Sequence, residues 1–191
     1  MITLLTLTAF AALPSASSTW SPLSTSPTVI ECTTANGKPY CRSTAVISAP
    51  VATAIDAFAH LDQHVDLMAS IKSVTRLEPD VLHVVMDYPF PVSDRDYVAK
   101  FSRRTDPDGT EVFAWVPIAH AAAPVDPSVV RLTELDGEWR FQAEGGDTRV
   151  TYVWESDPGG NLPDANAVRK QAGKLAITDI ANACGATILR P

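Results

Sequence analysis

The spacing of apolar residues divides the chain into a series of strands followed by one long helix. Residues 81–88 hold Val81, Leu82, Val84, Val85 and Met86, an apolar β-branched run that reads as a strand, and 96–104 alternates large and polar side chains as a second. Pro89 and Pro91 between them cannot both donate to a sheet ladder, so the chain must leave one strand, turn, and re-enter near Arg95 and Asp96 through a rigid connector. Asp106-Pro107-Asp108-Gly109 is a turn into a strand over 111–116, and strands over 129–135, 138–143 and 149–155 follow. The last two join at Gly145-Gly146-Asp147; Asp136-Gly137 is either a tight turn or a bulge within one long strand. Further back, a strand ends at Ile47, and Ser48 or Ala49 caps a helix with Pro50 in its first turn and Val51, Ile55 and Phe58 on one face. A short helical piece over 62–70 and a strand over 73–77 complete the first half.

The final helix spans 163–184 and closes on Gly185 as a left-handed cap. One side carries Ala165, Val168, Ala172, Ala176, Ile180 and Ala183 at three- and four-residue spacing. So small a stripe implies either very close approach to the sheet or space left beneath the helix for something else.

Asn36-Gly37 is a two-residue type I′ hairpin signal, and folding about it pairs Ala35 with Lys38 and, three pairs on, Cys32 with Cys41. By alternation the cysteines meet at a non-hydrogen-bonded pair, where Cα atoms approach within disulfide range. The reading is a Cys32–Cys41 disulfide, the alternative two unpaired thiols; Cys184 reads as a small buried filler. Residues 2–13 form an apolar run ending in Pro14-Ser15-Ala16-Ser17-Ser18, with the length and small-residue end of a signal peptide but without its basic start. Residues 1–18 are therefore read as a signal peptide, against an alternative N-terminal helix, and 19–28 as a flexible Ser/Thr/Pro-rich lead. A paired cysteine hairpin agrees with an exported, periplasmic or secreted, chain. The net charge of -7 with dispersed Lys and Arg excludes the clustered cations that nucleic-acid binding needs, and 191 residues suffice for one domain with a real core.

Catalytic signatures are sparse. The chain has no Gly-x-Ser-x-Gly elbow, no phosphate-binding glycine loop and no Cys-x-x-Cys pair. His60 and His64 are four apart, but Leu61 stands where the metalloprotease pattern needs Glu. Asp94, Arg95 and Asp96 fit a structural role at a strand entry better than a catalytic triplet. No cofactor is expected.

The string Tyr88-Pro89-Phe90-Pro91-Val92-Ser93-Asp94-Arg95-Asp96-Tyr97-Val98, followed downstream by Asp157-Pro158-Gly159-Gly160-Asn161-Leu162-Pro163 and a helix, resembles the START lipid-transfer domains, most closely their phosphatidylcholine-transfer branch. The resemblance covers 29–189 and implies, for a domain over 29–191, an α+β helix-grip fold. A curved antiparallel sheet would wrap a long C-terminal helix, with a hydrophobic cavity between them. It places Tyr97 at an aromatic cavity position. A looser match adds Val84, Trp115 and Leu135 to the lining and puts His64 where lipid-binding relatives carry a polar group. Strand alternation groups Met86 with Val84, and Phe101 with Tyr97, while Ala172 and Ala176 would cover the cavity from the helix. Choline recognition needs several aromatic faces around the cation, and of the matched positions only Tyr97 is aromatic where that cluster would stand. The lining suits a sterol-like, fatty acyl or aromatic molecule better than phosphatidylcholine. The expected function is binding, with or without transfer, of a hydrophobic ligand by a monomer that touches membranes transiently; the rival is a cyclase or aromatase acting within the same fold.

Overall fold

The structure, a computed structural model, describes residues 13–15, 17–88, 92–157, 159 and 164–191. Most of the 1–18 segment read as a signal peptide, Pro89, Phe90 and Pro91 of the connector, and Pro158 and 160–163 of the second motif lie outside the described residues.

Among the described residues eleven strands belong to one sheet, nine of them in the order β1-β2-β3-β10-β9-β7-β6-β5-β4 and two, β8 and β11, beside β6 and β3. The elements are β1 (Ser21–Ser24), β2 (Val29–Ala35), β3 (Lys38–Ile47), α1 (Val51–Ala59), β4 (Ile71–Glu78), β5 (Val81–Met86), β6 (Arg95–Thr105), β7 (Glu111–Pro117), β8 (Val130–Arg131), β9 (Gly137–Glu144), β10 (Asp147–Glu155), α2 (Ala165–Ala183) and β11 (Ile188–Arg190). All pairings are antiparallel except β8, which runs parallel to the start of β6; β11 adds to the outer end of β3. β10, the last long strand, inserts between β9 and β3 and so joins the N-terminal strands to the rest of the sheet. α2 then crosses the concave side, touching β1, β2, β3 and β10 and, at its far end, α1.

The hairpin of β2 and β3 has the predicted register, Ala35 opposite Lys38 and Cys32 opposite Cys41, and the two cysteines are bonded. Asn36 and Gly37 adopt φ of 52° and 78°, the left-handed pair that a type I′ turn requires. Cys184 is half-buried, and burial pushes its thiol up to about 11, as suits an inert filler.

Four expectations change. The 19–28 lead is not wholly irregular: Ser21 and Pro22 of β1 pair with Cys32 and Glu31. The short helix over 62–70 is two single 3-10 turns, Leu61–Gln63 and Val65–Leu67, because the backbone leaves helical geometry at His64, with φ of -115° and ψ of 10°, and is extended at Met68, with φ of -108° and ψ of 124°. Residues 129–135 do not pair with 138–143; only Val130 and Arg131 are strand, and Asp136-Gly137 opens β9 rather than turning a hairpin, with Glu155 donating its backbone N–H to the Asp136 carbonyl. Pro50 itself takes the N-cap position of α1, with extended ψ of 144°.

The core lies between α2, α1 and the concave face. Ile30, Ile47, Phe58, Trp115, Phe141, Ile177 and Ile180 are among its buried members. A smaller cluster on the convex face, Val81, Val98 and Ala123, is covered by the loop between β7 and β8.

Candidate ligand cavity

Alternation on three neighbouring strands paves the concave face with aromatic rings. Trp154 on β10 and Trp115 on β7 both register with Gly137 of β9, while Tyr152 registers with Trp139, which registers with Phe113. Tyr152 consequently stacks on Trp139 at 4.3 Å, on Trp154 at 4.6 Å and on Trp115 at 5.7 Å between centroids. Offset stacking at these separations is favourable beyond simple burial. The Trp115 indole donates to the Leu135 carbonyl at 2.9 Å, which satisfies the buried N–H and sets the tilt of the ring.

α2 meets this floor unevenly. At Gly173 an added Cβ would lie 2.9 Å from the Trp154 ring and 3.1 Å from Ile30, so the backbone rests almost on the sheet. Gly173, Ile177, Ile180 and Ala181 form the buried side of the helix. The neighbouring side, Val168, Ala172 and Ala176, instead stands over open volume. The alanine stripe of the sequence is thus resolved into one flank that packs and one that spans a cavity.

Three adjoining chambers fill that space. The first, about 70 Å³, lies among Phe58, Leu61, Met68, Tyr97, Phe101, Trp115, Trp139 and Ala176. A second, about 150 Å³, runs beneath Val168, Ala172, Leu175 and Ala176 against Met86, Tyr88 and Val92, with exposed Gln171 at its rim. A third, about 50 Å³, is bounded by Leu132, Leu135, Trp154, Glu155, Ser156 and Arg169. Met86 and Tyr152 line all three. An apolar cavity of about 150 Å³ is large enough to hold a benzene-sized ring.

Of the residues expected from the sequence, Met86, Tyr97, Phe101, Trp115, Leu135, Ala172 and Ala176 line these chambers. Val84 and His64 do not. Val84 is fully buried directly opposite Tyr97 on the same face of the sheet, but borders none of the three chambers. His64 caps the first 3-10 turn and starts the second, and its neighbours Leu61 and Met68 reach the first chamber instead. Among the described residues no group of three or more His, Cys, Asp or Glu side chains is arranged to hold a metal ion.

Polar groups at the cavity fall into two kinds. Asp179, 3% exposed, accepts from the backbone N–H groups of Ala69 and Ser70 and from the Ser70 hydroxyl, and so pins α2 to the entry of β4. The Tyr97 and Tyr152 hydroxyls, by contrast, have no hydrogen-bond partner among the described residues. Burial pushes both phenols up, Tyr152 further through the proximity of Tyr97 and Tyr88, so both remain protonated donors at neutral pH. Tyr88, half-buried under the Arg95 guanidinium at 4.7 Å, borders the second and third chambers. Tyr152, Tyr88 and Asp179 went unassigned in the sequence; alternation along 149–155 was the signal that could have found Tyr152.

One carboxyl at the third chamber is titratable near neutrality. Burial pushes Glu155 up to about 7, a rise opposed by Lys38 at 3.3 Å and reinforced by Asp136, which itself accepts from the Tyr40 hydroxyl. An acid whose folded pKa exceeds its unfolded value stabilises the fold fully below the unfolded value and loses that contribution as pH rises through the folded one. Wild-type Tm should therefore fall relative to that of Glu155→Gln as pH rises from 5 to 8. Parallel Tm curves, followed by circular dichroism, would rule the titration out.

The START domain sequence profile matches residues 14–188. The chain belongs to the START domain family. The match takes in β1 to β10 and all of α2 and ends at Ile188, the first residue of β11. By sequence it is 37% identical over 79 residues to an uncharacterized protein of Pseudomonas aeruginosa, covering 41% of this chain and 39% of that protein. It is also 29% identical over 103 residues to the phosphatidylcholine transfer protein of Rattus norvegicus, covering 51% and 48%. The chain thus matches less than half the length of either relative. In structure it is similar to the STAR-related lipid transfer protein of Xanthomonas axonopodis, with a TM-score of 0.69 and 16% identity over 87% of this chain and 97% of that one. Human STARD10 gives the same TM-score at 17% identity, over 86% and 72%. These likenesses establish the helix-grip fold of this START domain.

Proposed function

We propose that this START domain binds a hydrophobic ligand in the three chambers, lays it against the rings of Trp139, Tyr152 and Trp154, and fixes one polar atom of it with the hydroxyls of Tyr97 and Tyr152. The observation that carries this reading is the pair of hydroxyls. Both tyrosines line the first chamber and neither hydroxyl is engaged by another described residue, so a ligand hydroxyl or carbonyl that meets them gains about 0.5–1.5 kcal/mol per hydrogen bond. The apolar remainder of the ligand gains roughly 25 cal/mol per Å² buried. A sterol-like or single-chain acyl molecule suits the narrow, ring-lined space; the shared ancestry with lipid-transfer proteins supports delivery of such a ligand, by a monomer in transient contact with a membrane. The Cys32–Cys41 bond supports action outside the cytoplasm.

A cyclase or aromatase would need ionisable groups converging on a substrate. Both oxygens of Asp179 are occupied, and Glu155 sits at the far end against Lys38, which favours binding over catalysis.

Two fluorescent probes test the reading, dehydroergosterol and methyl cis-parinarate. At least one should bind with quenching or transfer from tryptophan. Tyr97→Phe or Tyr152→Phe should weaken it about 2- to 10-fold, the worth of one ordinary hydrogen bond. Ala176→Phe should abolish uptake with little change in Tm, because the ring enters the chamber. Failure of both probes, or Ala176→Phe unfolding the protein while the tyrosine variants bind normally, would overturn it.

A further inference from the structure

The third chamber does not end in a hydrophobic wall. Ser156 and Arg169 line it, and the same two residues line a polar groove of about 290 Å³ on the other side, between Thr19, Ser21, Thr33 and Thr34. They form the partition between apolar interior and polar surface. Ser156 is 4% exposed, and its hydroxyl has no hydrogen-bond partner. Its backbone is held from both sides, the N–H donating to the Pro39 carbonyl and the carbonyl accepting from Arg169 Nε at 3.2 Å. Arg169 also donates through one Nη to Asn166, which leaves most of its five N–H donors uncommitted. No carboxylate of the described residues lies within ion-pair distance of it. The two acids that line the chamber with it are otherwise engaged: Glu155 with Lys38, and Asp157 with the backbone N–H of Gly159.

A buried hydroxyl without a partner beside a half-buried guanidinium without a counter-ion is an arrangement completed by an anion with planar acceptor oxygens. Its position at the end of an apolar passage says what the anion is attached to. We infer that Ser156 and Arg169 form a carboxylate-reading subsite, and that the ligand is an acidic amphiphile whose apolar body occupies the chambers and whose carboxylate lies at this partition. The inference rests on the binding function proposed above, and adds a second polar group and the orientation of the ligand: acid end towards the disulfide hairpin, and the end whose polar atom meets Tyr97 and Tyr152 towards α1. No bond is made or broken; the subsite sets specificity. Ser156 donates its hydroxyl proton to one carboxylate oxygen, and Arg169 supplies N–H donors to the other.

cis-Parinaric acid and its methyl ester separate the two proposals, since they share a chain and differ in charge. At pH 7 and low salt the wild-type domain should bind the acid about tenfold more tightly than the ester, a charge-assisted hydrogen bond's worth. Added salt should narrow that preference, because the guanidinium is partly exposed. Arg169→Gln should remove it, bringing the affinity for the acid down to that for the ester in the same variant; Ser156→Ala should reduce the preference, and Arg169→Lys should keep part of it. Should Arg169→Gln fail to fold, Ser156→Ala and the salt dependence decide. Equal binding of acid and ester by the wild type, or an undiminished preference in Arg169→Gln, overturns the subsite alone. Binding of neither parinarate overturns the subsite, and the underlying ligand-binding reading falls with it if dehydroergosterol also fails to bind.

Discussion

Replacing Gly137 with Ala should cost the domain about 3–5 kcal/mol, enough to unfold it under mild conditions. A Cβ at this position would lie 2.2 Å from the Val153 carbonyl oxygen and 2.4 Å from the Trp115 ring. The ring could swing aside, but the carbonyl belongs to the ladder between β9 and β10 and cannot retreat without breaking it. Trp115→Ala should therefore fail to rescue the variant. Gly146→Ala is the matching control: its added methyl meets nothing within 4 Å and should change stability by less than about 0.5 kcal/mol. Urea denaturation of the three variants checks this, and a Gly137→Ala protein within about 1 kcal/mol of wild type would show that the sheet is looser here than described. The cavity depends on the same absence, for Trp115 lies across the vacant position and reaches Tyr152 only because β9 has no side chain there.

Asp96→Ala should be nearly as damaging, at about 3–5 kcal/mol, by leaving a cation unmatched on the convex face. Asp96 is 1% exposed; Arg131 grips both its oxygens, at 2.8 and 2.7 Å, and His83 Nε2 lies 2.8 Å from the second. Arg131 in turn holds the carbonyl of Ala123, so the pair clamps the loop between β7 and β8 over the sheet. Burial alone would raise the Asp96 pKa, yet the hydrogen bonds from Arg131 and His83 hold it below the usual carboxylate range. A depressed acid stabilises the fold above its unfolded pKa and loses that contribution as pH falls through the folded one. Asp96 thus matters in the acid limb below about pH 4, the opposite side from Glu155. The double variant Asp96→Ala/Arg131→Ala should lose less than the sum of the single losses; strict additivity would mean that the two side chains do not act as a pair.

Local chemistry in the sequence was readable where one residue type answers one geometric demand. Asn36-Gly37 dictated a turn, the turn dictated a register, and the register brought Cys32 to Cys41. The Asp96 anchor was foreseen as structural from its place at a strand entry, although its partner Arg131 is 35 residues away in a segment expected to be a hairpin strand. Non-local pairing is where the reading ran out: no pattern within 149–155 states that β10 will lie beside β3. Asp179 was equally silent, because an acid in the last turns of a helix is ordinarily solvated, and its value here comes from two backbone N–H groups more than a hundred residues earlier. The small stripe on α2 was legible as a choice between close approach and open space; both occur, and Gly173, one residue from Ala172, marks the boundary.

The ring pavement also makes the cavity optically self-reporting. Of the four tryptophans, Trp115, Trp139 and Trp154 are buried within stacking distance of Tyr152, whereas Trp20 sits apart under the Arg42 guanidinium at 4.4 Å. Indoles and phenols held nearly parallel at 4–6 Å share their excited states, so the near-ultraviolet circular dichroism should carry a coupled signal from the chamber walls rather than from the surface. A molecule sliding between these rings perturbs that coupling and the indole emission together, while one adsorbed elsewhere leaves both unchanged. Occupancy can accordingly be titrated on the untouched chain, and Trp20→Phe would remove the single bystander from the spectrum.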